Sequence, residues 1–189
     1  MLQPAHVGHL ALLRALIREG AAEGSFDRGL ASESAESTEF FDKLKRALVT
    51  GYFVEEDRRT GRVDTVAVPG YVFWPDDRHS GMPPVGFGLF RAIDEGYELW
   101  LAGLEFARRG GGHGRALLEA LFATPCGQQT HVVRVQRASR YVPHVTHLLE
   151  SLKFASVGDT PRLRWFVRDT APPALAARIR HSILARPAN

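Results

Sequence analysis

The sequence predicts one domain of the mixed α/β (α+β) class, with a mostly antiparallel central sheet flanked by helices. Its 189 residues suit a single domain with its own hydrophobic core. Apolar residues recur at helical spacing near the start of the chain, whereas the middle is rich in β-branched and aromatic residues. After Phe106 the periodicity changes again, and helices alternate with strands. This order of elements is typical of a layered fold of helices and strands.

Two helices are predicted before the first strand. Residues 8–19 carry apolar side chains at helical spacing, and Gly20 follows as a stop signal. Residues 20–37 are rich in Gly, Ala, Ser and Glu and are predicted to form a loop. Thr38 is a candidate cap for a second helix that ends at Gly51. The apolar stripe of this second helix consists of Phe40, Phe41, Leu44 and Leu48.

The middle of the chain predicts antiparallel strands. The candidate strands are Val63–Val68, Tyr71–Trp74, Val85–Ile93 and Tyr97–Phe106. The last two are separated by Asp94–Gly96, a good hairpin signal. We therefore expect these two strands to pair directly.

The second half alternates between helix and strand. A glycine-rich turn after Phe106 leads into a predicted helix at Arg115–Thr124 with Leu117, Leu118, Leu121 and Phe122 directed inward. The later predicted elements are a strand at His131–Val135, a helix at Pro143–Leu152, a strand at Leu163–Arg168 and a tail helix at Ala174–Ala185.

Composition limits the function classes. The formal charge is +3 and the pI is about 9.3, with scattered arginines, which suits a polyanionic ligand such as a nucleotide. The charge is too dispersed to indicate nucleic-acid binding. Cys126 is the single cysteine, so no internal disulfide forms and a reducing, cytoplasmic location is expected. Neither a membrane-spanning run nor a signal peptide is recognised.

Residues 109–114 form the motif with the clearest chemistry. Glycines let a ligand approach the main chain, and the free N–H groups at the start of a helix bind anionic oxygens. The sequence RGGGHG has neither the GxGxxG spacing of dinucleotide-binding proteins nor the lysine of a P-loop. Arg109, Gly112 and Gly114 instead match the pattern Arg/Gln-x-x-Gly-x-Gly/Ala. The alternative is a glycine turn that binds nothing.

The stretch YELWLAGLEFARRGGGHGRALLEALF resembles the core of the GCN5-related N-acetyltransferases, or GNAT family. Weaker similarity continues into VPHVTHLLESLKF and, upstream, PVGFGLF. The resemblance covers roughly residues 1–169, which we interpret as the acetyltransferase domain, with residues 170–189 as a C-terminal helical extension.

The resemblance implies acetyl-CoA as the cofactor. Backbone groups of Leu104, Glu105 and Phe106 would bind its pantetheine arm. The pyrophosphate would be held by the backbone N–H groups of Gly110, Gly111, Gly112, His113, Gly114 and Arg115. The Arg109 side chain would support this loop.

The reaction implied is attack of a primary amine on acetyl-CoA, which needs a base for the amine and an acid for the thiolate. Glu98 is the first candidate base, at a strand position where some family members carry a glutamate. A solvated strand glutamate is the alternative, and Glu105 is the second candidate. The family's usual acid, a tyrosine, is replaced here by Leu149. Tyr141 is therefore the candidate acid, with water, Ser139 and His144 as alternatives.

No metal site is expected, because the closely spaced histidines at 144 and 147 have no third ligand nearby. The acceptor would be a small-molecule or peptide amine, held by the segments 20–37, 54–62 and 74–84. Membrane and nucleic-acid partners are not expected. Two other functions stay open: a degenerate acyl-CoA-binding or regulatory protein, and a toxin that acetylates aminoacyl-tRNA.

The predicted tail helix places Leu175, Ile179 and Ile183 on one face. Such an apolar stripe must be covered, either by its own domain or by a second subunit. A homodimer is the favoured interpretation, because the predicted core already has two helical layers.

Overall fold

The computed structural model describes residues 1–57, 60–75 and 81–184. The helices are α1 (Leu10–Ala22), α2 (Ala35–Thr50), α3 (His113–Ala123), α4 (Pro125–Gln128), α5 (Val142–Ser151) and α6 (Pro173–Leu184). The strands are β1 (Leu2–Pro4), β2 (Tyr52–Asp57), β3 (Arg62–Ala67), β4 (Gly70–Phe73), β5 (Gly86–Ile93), β6 (Gly96–Leu104), β7 (Thr130–Gln136), β8 (Phe154–Asp159) and β9 (Leu163–Arg168). Each helix in these ranges is too short or too polar to span a lipid bilayer.

Seven of the strands form one mixed sheet in the order β1-β4-β5-β6-β7-β9-β8. Five of its six neighbouring pairs are antiparallel, and only β6 and β7 run parallel. β2 and β3 form a separate two-stranded hairpin. The predicted class, a mostly antiparallel mixed sheet flanked by helices, is confirmed.

The parallel strands β6 and β7 separate soon after they meet. Their pairing covers Tyr97–Leu99 of β6, opposite residues between Thr130 and Val133 of β7. β6 continues to Leu104 and stays paired with β5 along its other edge. The two strands therefore diverge into a V-shaped cleft near the centre of the sheet.

Helices cover both faces of the sheet. Along β5, Phe87 and Leu89 pack in the cluster that contains the apolar side chains of α1 and α2. Gly88 faces the opposite side, where a Cβ would lie 2.5 Å from the Leu121 side chain of α3. Along β7, Val133 packs with α3 and α5, whereas Val132 packs with α6. α3 and α5 thus share one face, while α1, α2 and α6 share the other.

Both N-terminal helices have ends that differ from the prediction. Gly20 does not stop α1, which continues to Ala22. The glycine is needed there because a Cβ would lie 2.5 Å from the Phe26 ring. Ser34, and not Thr38, caps α2, since its Oγ accepts a hydrogen bond of 3.1 Å from the Ser37 N–H.

Three strands were not predicted. β1 has only three residues, β2 carries three acidic residues in six, and β8 contains Gly158 and small side chains. Such compositions are poor strand signals, and pairing with a neighbouring strand stabilises each of them. β2 and β3 occupy most of the predicted 54–62 loop, of which residues 58–59 lie outside the described ranges. Residues 76–80 of the predicted 74–84 turn also lie outside them.

α6 packs on its own chain. Leu175 and Ile179 are buried with Val132 and Val167 of the sheet, and Ile183 packs against this cluster. The apolar stripe that suggested a homodimer is therefore covered within one molecule. Residues 185–189 of the expected extension lie outside the described ranges.

Truncating Leu175 to alanine is expected to lower the free energy of unfolding by about 2–5 kcal/mol, the usual cost of removing a buried leucine side chain. Leu184→Ala is the matched control in the same helix, because Leu184 is 84% exposed. Its effect should stay within about 0.5 kcal/mol. Urea unfolding of both variants measures the difference. Equal losses would mean that α6 does not pack on the sheet in solution.

Candidate functional site

A cavity of about 1030 Å³ occupies the cleft between the diverging strands. Its walls come from the ends of β6 and β7, the start of α3, the inner side of α5 and the segment between α1 and α2. Apolar side chains of α3 and α5, among them Leu117, Leu118 and Leu149, line one side. The cavity is large enough for a drug-sized ligand.

The glycine-rich loop lies at one end of this cavity. Gly110 and Gly112 have φ angles of +91° and +79°, which side chains rarely adopt, and a Cβ at either would point into open space. Gly112 is the N-cap of α3, and no side chain caps the helix. The N–H groups of the first turn, at His113, Gly114 and Arg115, are therefore free to bind an anion.

The exposed edge of β6 meets the loop at its end. Beyond Leu99 the edge of β6 on the cleft side is not paired with β7, and residues from Leu99 to Leu104 line the cavity. An extended ligand with amide groups could hydrogen-bond there as a strand would. The Glu105 N–H donates to the Val85 carbonyl at 2.8 Å, and Phe106 is 52% exposed in a short 3₁₀ turn. Of the three predicted pantetheine-binding residues, Leu104 is thus the one on the cavity wall.

Arg109 supports the loop from behind. Its Nε donates to the Leu104 carbonyl at 3.1 Å, and its Nη1 pairs with the Glu23 carboxylate. Burial alone would lower the pKa of Arg109, but Glu23 and Tyr141 outweigh it and raise that pKa above its ordinary value. Arg109 therefore keeps its charge and joins the end of β6 to the end of α1.

Glu98 lies beneath the cavity floor in a chain of ion pairs. Its side chain is 5% exposed, and its carboxylate pairs with Arg134 and, at 3.9 Å, with Arg91. Arg91 also pairs with Glu55 of β2. Arg134 lines the cavity and stacks over Trp165 at 5.1 Å. Glu98 is therefore one side chain removed from the cavity, and it is not a solvated strand glutamate.

Glu105, the second candidate base, lies outside the cavity. Its side chain is 50% exposed and lies 3.9 Å from Arg108. Neither candidate base is therefore on the cavity wall itself.

Tyr141 lines the cavity just before the first residue of α5. Its hydroxyl lies 2.7 Å from Arg140 Nη2, and its N–H donates to Ser139 Oγ at 3.2 Å. Ser139 and His144, the alternative acids, also line the cavity. Leu149 is fully buried on the wall formed by α5.

The other end of the cavity is bounded by aromatic and acidic side chains. Phe40 and Phe53 make edge or tilted contacts with each other and with Trp100, at centroid separations of 5.0–5.9 Å. Carboxylates on this part of the wall come from Asp27, Glu36, Glu39, Glu55 and Glu56, with Lys43 among them. Some residues of the 20–37 segment and of the β2 part of 54–62 thus line the cavity, whereas the described residues of the 74–84 segment do not. That these segments hold the acceptor stays a prediction.

Several residues of this site were not found from sequence. Glu23 contacts Arg109, which is 86 residues away in sequence, and Glu98 contacts Arg134, which is 36 residues away. No motif links residues so far apart, so only the folded chain brings them together. Within residues 1–57, 60–75 and 81–184, no group of three or more His, Cys, Asp or Glu side chains could hold a metal ion.

Several solved acetyltransferase structures have a similar fold. An acetyltransferase from Thermus thermophilus superimposes with a TM-score of 0.56 at 19% identity, covering 89% of this chain and 96% of the other. Spermidine N-acetyltransferase from Vibrio cholerae, in complex with CoA and spermine, gives 0.58 at 15% identity, covering 88% and 92%. Ribosomal-protein-alanine N-acetyltransferase from Brucella melitensis gives 0.54 at 18%, covering 88% and 97%.

Neither the protein-family models nor the curated proteins give a match to the sequence. At identities of 14–19% the structural likeness establishes the fold. The chain has the fold of the GNAT acetyltransferases, as the resemblance around the glycine-rich loop implied.

Proposed function

We propose that this protein is an N-acetyltransferase that transfers an acetyl group from acetyl-CoA to a primary amine. One observation carries the proposal. The glycine-rich loop at the start of α3 opens into the cleft where β6 parts from β7, so an anion site and an unpaired strand edge meet in one cavity. A pyrophosphate joined to an arm with amide groups fits this combination.

The cofactor would be held mainly by backbone groups. The N–H groups of residues 110–115 would bind the pyrophosphate, and the edge of β6 up to Leu104 would bind the pantetheine arm. Acetyl-CoA would supply an acetyl group activated as a thioester. Arg109 would hold the end of β6 against the loop through its hydrogen bond to the Leu104 carbonyl.

The proposed transfer needs one group that accepts a proton from the amine and one that donates a proton to the sulfur. The amine nitrogen, in its neutral form, attacks the carbonyl carbon of the acetyl group; the C–N bond forms and the C–S bond breaks. We assign uptake of the proton that leaves the amine to Glu98, reached from the cavity past Arg134. We assign delivery of a proton to the departing sulfur to Tyr141, which lines the cavity and replaces the acid missing at Leu149.

A cationic amine suits the acceptor end of the cavity. Carboxylates outnumber basic groups on this wall, so the local potential favours a positively charged molecule. The ring edges and faces of Phe40, Phe53 and Trp100 offer an apolar surface to its carbon chain. Spermidine and an alanine-containing peptide are suitable first acceptors, because two proteins of the same fold are named spermidine N-acetyltransferase and ribosomal-protein-alanine N-acetyltransferase.

The intact protein is expected to bind CoA with micromolar affinity or better and to release CoA from acetyl-CoA when an acceptor amine is present. A dissociation constant of 1 μM corresponds to about 8 kcal/mol of binding free energy. Calorimetry with CoA measures the first step, and CoA release with and without the amines measures the second. A protein without measurable CoA affinity would contradict the proposal.

Leu149 favours a second function, binding of acyl-CoA without turnover. A fully buried leucine at the place of the family's tyrosine cannot donate a proton. CoA affinity without acetyl transfer to any amine would support this alternative.

A further inference from the structure

The Glu23 carboxylate, at the end of α1, bonds to two arginines that reach it from different sides of the cleft. Arg109, in the loop after β6, donates to Oε2, and Arg140, in the segment between β7 and α5, donates to Oε1 at 3.1 Å. The Glu23 side chain is only 18% exposed. Both contacts are charge-assisted hydrogen bonds, which are roughly twice as strong as neutral ones.

Each arginine also contacts a residue that the proposed reaction uses. Arg109 Nε holds the Leu104 carbonyl at 3.1 Å, and Arg140 Nη2 lies 2.7 Å from the Tyr141 hydroxyl oxygen. Both guanidinium groups also lie over the Tyr141 ring, at 4.9 Å and 5.0 Å from its centroid. The Tyr141 ring is therefore fixed by the same two side chains that share Glu23.

The segment after α1 is attached to the segment before α5 at two further places. Ser25 Oγ lies 2.9 Å from Ser139 Oγ, and Ser139 Oγ also accepts the Tyr141 N–H. Gly24, at a φ of +78°, passes so close to Ala138 that a Cβ would lie 3.2 Å from the Ala138 carbonyl oxygen. These contacts keep Glu23 directly opposite Arg140.

The bond between Arg140 and Tyr141 has a defined direction. A guanidinium group has only donors, so the Tyr141 oxygen must accept from Arg140. The hydroxyl hydrogen of Tyr141 is then left to donate to another group. If Arg140 moved away, the hydroxyl could rotate and turn its hydrogen elsewhere.

We infer that Glu23 is a positioning residue for proton delivery by Tyr141, an inference that rests on the proposed acetyl transfer. Glu23 holds Arg140 on the Tyr141 oxygen, which leaves the hydroxyl hydrogen for the departing sulfur. In that step the C–S bond breaks, the sulfur takes the proton of Tyr141, and the resulting phenolate recovers a proton from solvent. Through Arg109, the same carboxylate holds the Leu104 carbonyl at the end of β6.

A double-mutant cycle of Glu23→Gln and Tyr141→Phe tests this inference. Glu23→Gln alone is expected to lower kcat for acetyl transfer about tenfold, within the range of couplings between contacting residues. In the Tyr141→Phe background the same change should alter kcat less than about twofold, because the hydroxyl it positions is gone. Glu23→Asp should recover part of the lost kcat.

Asp159→Asn is the matched control, because its carboxylate also pairs with two arginines, Arg137 and Arg164, but Asp159 does not line the cavity. Its kcat should equal that of the unmodified protein. Thermal unfolding of every variant shows whether a loss of kcat comes from a loss of folded protein.

Three results overturn the inference. Losses of kcat that multiply in the double variant would mean that Glu23 acts independently of Tyr141, as a structural link only. An unchanged kcat in Glu23→Gln would remove any role. An unmodified protein that binds no CoA and transfers no acetyl group would refute the proposed function, and with it the role of Glu23; the first two results leave that function intact.

Discussion

Replacing Gly112 with valine is expected to lower the affinity for CoA by about a hundredfold or more. Gly112 adopts a φ of +79° at the start of α3, so the backbone must shift to accept a β-branched residue, and the N–H groups that follow it move as well. Each hydrogen bond to a charged group contributes about 1.5–3 kcal/mol, so the loss of two explains the size of the effect. Calorimetric titration with CoA measures it.

Gly51→Val is the matched control for this variant. Gly51 has nearly the same φ, +80°, but it lies at the C-terminal end of α2. A Cβ there also meets no neighbouring atom within 4 Å. Both variants therefore carry similar backbone strain, but Gly51 is not at the cavity. Equal CoA affinities in the two variants would show that the loop does not bind the cofactor.

Replacing Glu98 with glutamine is expected to lower kcat by about 10²–10⁴-fold if Glu98 takes the amine proton. The same change removes the charge between Arg91 and Arg134. Loss of one partner from a buried ion pair costs about 3–5 kcal/mol, and the lower end applies here because both arginines are partly exposed. Activity and chemical denaturation must therefore be measured on the same samples.

Glu95→Gln is the matched control that separates loss of the catalytic base from loss of an ion pair. Glu95 precedes β6 in the same hairpin and pairs with Arg178 of α6, and its side chain is 27% exposed. It does not line the cavity, so kcat should not change. A Glu98→Gln protein that is folded and retains kcat within a few-fold would exclude Glu98 as the base.

The glycine-rich end of the cavity was predictable because its geometry resides in the backbone of one continuous segment. Gly110, Gly112 and Gly114 lie within five consecutive residues, and their spacing already indicates a loop that leads into a helix. The bounds of α3 and α5 differ from the prediction by two residues or fewer at each end.

The side-chain network around Glu23 and Glu98 was not predictable, because its residues are far apart in sequence. Glu23, Arg109 and Arg140 come from three separate segments, and Glu23 and Arg140 belong to no sequence motif. Glu98 was suggested as the base by its place on a strand in the family resemblance, but the two arginines that neutralise it come from neighbouring strands. The acidic hairpin strand β2 was missed because strand pairing, not residue preference, stabilises it.

The parting of β6 and β7 also bears on strand pairing between molecules. An unpaired strand edge normally invites pairing with another chain, and proteins usually shield such edges at the rim of a sheet. Here the open edge beyond Leu99 lies near the middle of the sheet, between the segment that follows α1 and the helix α5. A second folded copy meets no free sheet rim there, whereas a thin, extended ligand can lie along the edge. The fold thus keeps a strand edge available for recognition without the usual risk of aggregation.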